Sequence, residues 1–113
     1  MHIYVGNKMD IKIYELQANL LHALGHNNRL RILEFLKNGE KCSSDIFPVL
    51  GLEQSNLSRH LKILMEVGIV STRKEGLKIY YHIEENEIFS IVDLVSEIVK
   101  NKIKKNVELL QQL

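Results

Sequence analysis

The run Gln54-Ser55-Asn56-Leu57-Ser58-Arg59-His60-Leu61-Lys62 concentrates side chains that recognise rather than react. At ~100° per residue, Leu57, Leu61 and Leu64 share one helix face, and Ser55, Arg59 and Lys62 fall on the opposite one. Gln54, Asn56, Ser58 and His60 flank that front near its N-terminal end. Amide side chains can bond an adenine edge with two hydrogen bonds, an arginine can do the same for guanine, and short hydroxyls allow close approach to phosphates. A solvated helix face also looks like this, so both readings stand at this point.

A second group lies about fifteen residues on. Arg73 and Lys74 precede Glu75-Gly76-Leu77, and Lys78 follows it. Cations around a hairpin tip can straddle phosphates or enter a minor groove. Lysines on an edge strand also protect against aggregation. Residues 53–82 hold five Lys/Arg and three Glu, whereas residues 84–113 hold four Lys and six Asp/Glu. The positive segment is therefore local, because the whole chain carries a net charge of only +1. That excludes a polycation that coats nucleic acid by bulk charge, but not a basic patch.

Other chemistries find less support. There is no phosphate-cradling glycine loop, no nucleophile with a matching base and no evident acid pair, so an enzyme is not expected. The single cysteine, Cys42, excludes an intramolecular disulfide and a cysteine-only metal cage within one chain. Cys42 follows Lys41 and precedes a helix N-terminus, both of which favour thiolate, so it is a candidate redox switch. The alternative is a small buried apolar residue. His22 and His26 have i, i+4 spacing that suits zinc or nickel, but Gly25 is expected to end the helix between them. Asp93 and Glu97 read as a solvated pair. No cofactor and no resident metal are expected.

The elements that must position these residues follow from periodicity and punctuation. The 113 residues, 45% hydrophobic and 26% charged, make one domain, 1–113, with one modest core. Ile13, Leu16, Leu20, Leu21 and Leu24 predict a first helix ended by Gly25. Asn28 is expected to cap a second helix in which Leu30, Leu33 and Leu36 face inward with Ile32 or Phe35 beside them. A short third helix over Ser43–Leu50, capped by Ser43 or Ser44, turns at Gly51 into a fourth over about 54–67. Two β-rich stretches, 69–75 and 78–83, predict a hairpin. A last helical run carries Ile88, Val92, Val95, Val99, Ile103, Val107, Leu110 and Leu113 at steps of three or four. The order predicts a mainly α fold with a β-hairpin wing: a helix-turn-helix over 43–67, a wing over 69–83, and helices over 9–25 and 86–113 left for dimerisation. At ~40 Å, the last helix is longer than so small a domain can cover, and its apolar stripe asks for a two-fold mate.

The chain resembles the ArsR/SmtB family of winged-helix repressors. The resemblance rests on Leu24-Gly25-His26-Asn27-Asn28-Arg29-Leu30-Arg31-Ile32-Leu33, on Gln54 to Leu64, and on Gly68-Ile69-Val70, Arg73-Lys74-Glu75-Gly76 and Tyr80-Tyr81. It covers about residues 14–95. It implies a homodimer that binds double-stranded DNA at a two-fold operator and represses transcription. It also implies that Gln54, Ser55, Ser58 and Arg59 contact DNA; Asn56, His60 and Lys62 join them from the helical wheel. Glu53 departs from the family pattern, in which a capping serine is common. The metal-loop segment Glu40-Lys41-Cys42-Ser43-Ser44-Asp45 retains one cysteine, and soft metals want two or more thiolates.

The N-terminus MHIYVGNKMD lacks the pattern of a secretory leader, and no apolar run approaches the ~20 residues of a membrane span. A cytoplasmic protein is expected. The competing functional class is a winged-helix protein-interaction module that binds no DNA specifically.

Overall fold

A computed structural model describes residues 8–113, so most of the N-terminal stretch read for a leader lies outside the described residues. The elements are α1 (Lys8–Leu24), α2 (Asn27–Leu36), β1 (Lys41–Cys42), α3 (Ser43–Leu50), α4 (Gln54–Glu66), β2 (Val70–Glu75), β3 (Lys78–Ile83) and α5 (Ile88–Gln111).

The core is the meeting place of the expected apolar stripes. Ile32, Leu33, Leu36, Ile46, Leu57, Leu61, Leu64, Ile69 and Val70 are fully buried. The stripe of α4 therefore packs as its i, i+4, i+7 spacing requires. In α2 the inward face is turned slightly from expectation. Ile32, Leu33 and Leu36 face in, while Leu30 faces out, 37% exposed. The helix begins at Asn27, and its cap is His26 rather than Asn28: the His26 Nδ1 accepts from the Asn28 N–H at 3.1 Å. At α3, Cys42 occupies the cap position without a side-chain capping bond to the backbone, and neither Ser43 nor Ser44 is the cap residue.

The wing is a three-stranded antiparallel sheet in the order β1-β3-β2. Glu75 pairs with Lys78 across a two-residue turn. Gly76 takes φ +61° there, at the first central position, where two-residue hairpins of type II′ require glycine. β1 pairs Lys41 with Tyr81 and Cys42 with Tyr80. A two-residue strand has no periodicity of its own, which is why the sequence did not announce it.

The last helix leaves the body of the domain. Ile88 is buried and Phe89 packs beside the core, but Leu94, Val95, Ile98, Val99, Ile103 and Val107 are all exposed. The radius of gyration is 18.0 Å, against roughly 13 Å for a compact chain of this length. α5 does not fold back on its own core. Together with Leu21, Leu24 and Leu30, it walls an open apolar groove of about 430 Å³.

Candidate nucleic-acid interface

The turn between α3 and α4 sets the presentation of the polar front. Gly51 adopts φ +67° as the left-handed C-terminal residue of α3, a conformation that a side chain would strain. The Leu52 N–H then bonds the Phe47 carbonyl at 3.0 Å. Arg31 of α2 donates to the Leu50 carbonyl at 2.7 Å and holds the end of α3 from the other side. α4 starts at Gln54 with Glu53 as its cap residue, which makes no side-chain cap bond. The poor capping residue does not shift the helix start, because burial of Leu57, Leu61 and Leu64 fixes α4 in place.

On the outer side of α4, Gln54, Ser55, Asn56, Ser58, Arg59 and Lys62 are all exposed. Arg59 donates to the Asn56 carbonyl oxygen of the side chain at 3.2 Å, one turn back. That bond keeps the guanidinium near the N-terminal half of the helix, beside the short hydroxyls.

His60 does not belong to this front. It is 2% exposed, with its Nδ1 3.2 Å from Nη1 of Arg29 and its ring centroid 4.5 Å from that of His26. Position 60 is one step from Leu61 and three from Leu57, so the same rotation that buries those leucines buries the imidazole.

Lys74 and Lys78 stand exposed on either side of the wing tip and, among the described residues, form no ion pair. Arg73 is differently placed. It bonds Glu40 through Nε and Nη2, bonds Glu75 at 2.9 Å through Nη1, and lies over the Tyr80 ring at 4.7 Å. Its bonds to Glu40 and Glu75 raise its pKa further above the already high arginine value. Two carboxylates already share the Arg73 guanidinium, so a phosphate would meet a charge that is largely neutralised.

Cys42 is buried. Its Sγ donates to Asp45 Oδ2 at 3.0 Å and lies 3.0 Å from Ser44 Oγ. His22 lies in the last turn of α1, and His26 caps α2. Among the described residues, no three His, Cys, Asp or Glu side chains gather around a common point.

Three arrangements went unread in the sequence. Glu40 anchors Arg73 from the loop before β1, a pairing across 33 residues that no local pattern reports. Ser71, His82 and Glu84 cluster at the base of the wing, with Ser71 Oγ 2.7 Å from His82 Nε2 and donating to Glu84 Oε2 at 2.8 Å. Arg29 did leave a signal: it falls on the same helical stripe as Ile32, Leu33 and Leu36, an arginine at a core position.

Comparison with known proteins places these features in a family. Residues 26–72 match the family described as bacterial regulatory protein, arsR family. An HTH-type transcriptional regulator of Methanocaldococcus jannaschii is 40% identical over 86 residues, which span 75% of this chain and 97% of that one. The arsenical resistance operon repressor of Staphylococcus aureus is 30% identical over 98 residues, 84% of this chain and 94% of its own length. Among solved structures, NolR from Sinorhizobium fredii superposes with a TM-score of 0.75 at 31% identity, covering 85% of this chain and 96% of that one.

Proposed function

The chain belongs to the arsR family of bacterial DNA-binding transcriptional regulators, and we propose that it acts as a homodimeric repressor that presents two copies of α4 to successive major grooves of a two-fold operator. The observation that carries this reading is the exposed polar front of α4 standing on a fully buried leucine stripe, next to two exposed wing-tip lysines that form no ion pair among the described residues. Gln54, Ser55, Asn56, Ser58 and Arg59 read base edges and nearby phosphates, and Lys62, Lys74 and Lys78 contribute charge along the backbone.

The dimer rests on α1 and α5. Ile13, Leu16 and Leu21 of α1 are exposed, as are six branched apolar residues of α5 between Leu94 and Val107. A soluble monomer rarely leaves so long an apolar surface open. A second copy of the same two helices covers it with closed symmetry. Repression is the activity named for the S. aureus relative, and occlusion of a promoter needs only tight operator binding. Its seat is the cytoplasm, where the DNA is; no described helix is long and apolar enough to cross a membrane. Its work is binding, with no cofactor, rather than catalysis.

Selection of duplexes from a random-sequence pool by the purified protein tests the reading. Enrichment of an inverted repeat bound by a dimer is expected. A pool that enriches nothing at low salt would sink it in favour of a protein-interaction module.

A further inference from the structure

Arg29 and His60 are the buried polar residues of the described chain, 5% and 2% exposed, and they touch each other. Arg29 belongs to α2, yet it also ties down the end of α1: Nε donates to the Ala23 carbonyl and Nη2 to the His22 carbonyl at 3.1 Å. Both are carbonyls of the last turn of α1, where backbone donors run out; the His22 carbonyl is shared with the Gly25 N–H at 3.1 Å. The third contact, from Nη1, reaches His60 on α4. One guanidinium therefore joins the helix carrying the exposed dimerisation stripe to the helix carrying the polar front.

A guanidinium has only donors. At 3.2 Å its partner must accept, so His60 Nδ1 carries no proton and the ring proton sits on Nε2. The neighbouring imidazole is set the same way, because His26 Nδ1 accepts the Asn28 N–H.

We propose that Arg29 and His60 are positioning residues for the recognition helix, and that a proton on His60 Nδ1 breaks their bond, loosens α4 from the end of α1 and weakens operator binding in acid. The proton comes from water and occupies the lone pair that Arg29 uses. Two donors then face each other at hydrogen-bond distance inside the core, both positively charged. Among the described residues, the titratable groups acting on His60 are Arg29 and His26 on one side and Arg59 of its own helix, with no carboxylate among them. α1 contributes backbone carbonyls to Arg29, while α3 and β2, also packed on α4, bring Ile46 and Val70 into the core. Burial, His26, Arg29 and Arg59 in that order hold His60 below the ordinary histidine value of 6.5. The sign follows. With a lowered folded value, the contribution is whole above about pH 6.5 and is lost as pH falls below it toward the value in the folded protein.

This inference rests on α4 being the DNA-reading helix, so the test has an arm that needs no DNA. In that arm, NMR of the wild-type protein follows the His60 ring and the α4 amides from about pH 8 down to about pH 5. The expected result is an Nε2–H ring whose titration moves the amides of α4 and of the end of α1 together. A His60 that titrates at the ordinary value, leaving both sets unmoved, overturns the proposal. The second arm measures affinity for a duplex selected by the wild-type protein at neutral pH. The wild type should lose on the order of tenfold more affinity in acid than His60→Asn. Asparagine offers Arg29 an oxygen acceptor near the Nδ1 position that does not titrate in this range. His26→Ser keeps a capping oxygen and should retain the acid sensitivity. Equal pH profiles for wild type and His60→Asn, or loss of the sensitivity in His26→Ser, overturn the proposal. Failure to select any duplex counts against the DNA-binding reading, and the NMR arm still decides the role of His60.

Discussion

Arg73 and Glu40 form a two-pronged ion pair across 33 residues, with Nη2 2.6 Å from Oε1 and Nε 3.0 Å from Oε2. The pair fastens β2 to the loop leading into β1. Among the three Lys/Arg of the β2–β3 hairpin, it separates the one that braces the sheet from Lys74 and Lys78, which form no ion pair among the described residues.

That division predicts different salt responses. Lys78→Ala should weaken binding to all duplexes alike and make the slope of log affinity against log salt shallower by about 1. Arg73→Ala should change the slope by clearly less, because its charge is already neutralised by Glu40. Titrations of a selected duplex at several salt concentrations check both. Equal slope changes would show Arg73 to be a phosphate contact.

Arg59 has the other kind of role. Arg59→Ala is expected to cost ~1–3 kcal/mol of operator affinity and to relax preference at one base position. Repeating the duplex selection with the variant reads this directly. A uniform loss over all sequences would assign Arg59 to the phosphates instead.

The exposed α5 stripe predicts a dimer that one charge disrupts. Val99 is 49% exposed and lines the groove between α1, α2 and α5. Val99→Asp should convert the dimer to monomer in sedimentation equilibrium while circular dichroism stays folded. Operator affinity should fall with it, because each half-site then binds alone. A variant that stays dimeric would place the interface elsewhere.

The Glu40–Arg73 brace should be acid-labile. The hydrogen bond from Arg73 holds the Glu40 carboxyl below its ordinary value of 4.5. The brace is therefore intact above about pH 4.5 and is lost as pH falls below it toward the lowered value. The Arg73 Nε–H resonance should shift over that interval in wild type and not in Glu40→Gln. A resonance that shifts alike in both would detach Glu40 from the brace.

Burial of Cys42, with its Sγ donating to Asp45, argues against ready oxidation. A disulfide-forming reagent should modify the native protein far more slowly than the denatured one. Mild oxidant should leave operator affinity unchanged in wild type and in Cys42→Ser alike. A loss of affinity seen in wild type but not in Cys42→Ser would make Cys42 a switch after all.

Much of the molecule was written locally. Steps of three and four among Leu57, Leu61 and Leu64 determined both the helix and its buried side, and with them the exposed front at Ser55, Arg59 and Lys62. Gly51 and Gly76 announced their turns because each needs a positive φ that other residues resist. Local pattern reports what lies within a helical turn or a strand pair, so these features needed no tertiary information. The fate of charged side chains is another matter. Arg73 and Lys74 are neighbours of the same sign, yet one meets Glu40 and the other meets solvent. His60 follows Arg59 directly, yet a rotation of one residue puts it in the core against Arg29. Hydrogen bonds and ion pairs reach only a few ångströms, and their partners here arrive from 31 and 33 residues away. Only the packing of α1, α2, α4 and the wing brings those partners within reach.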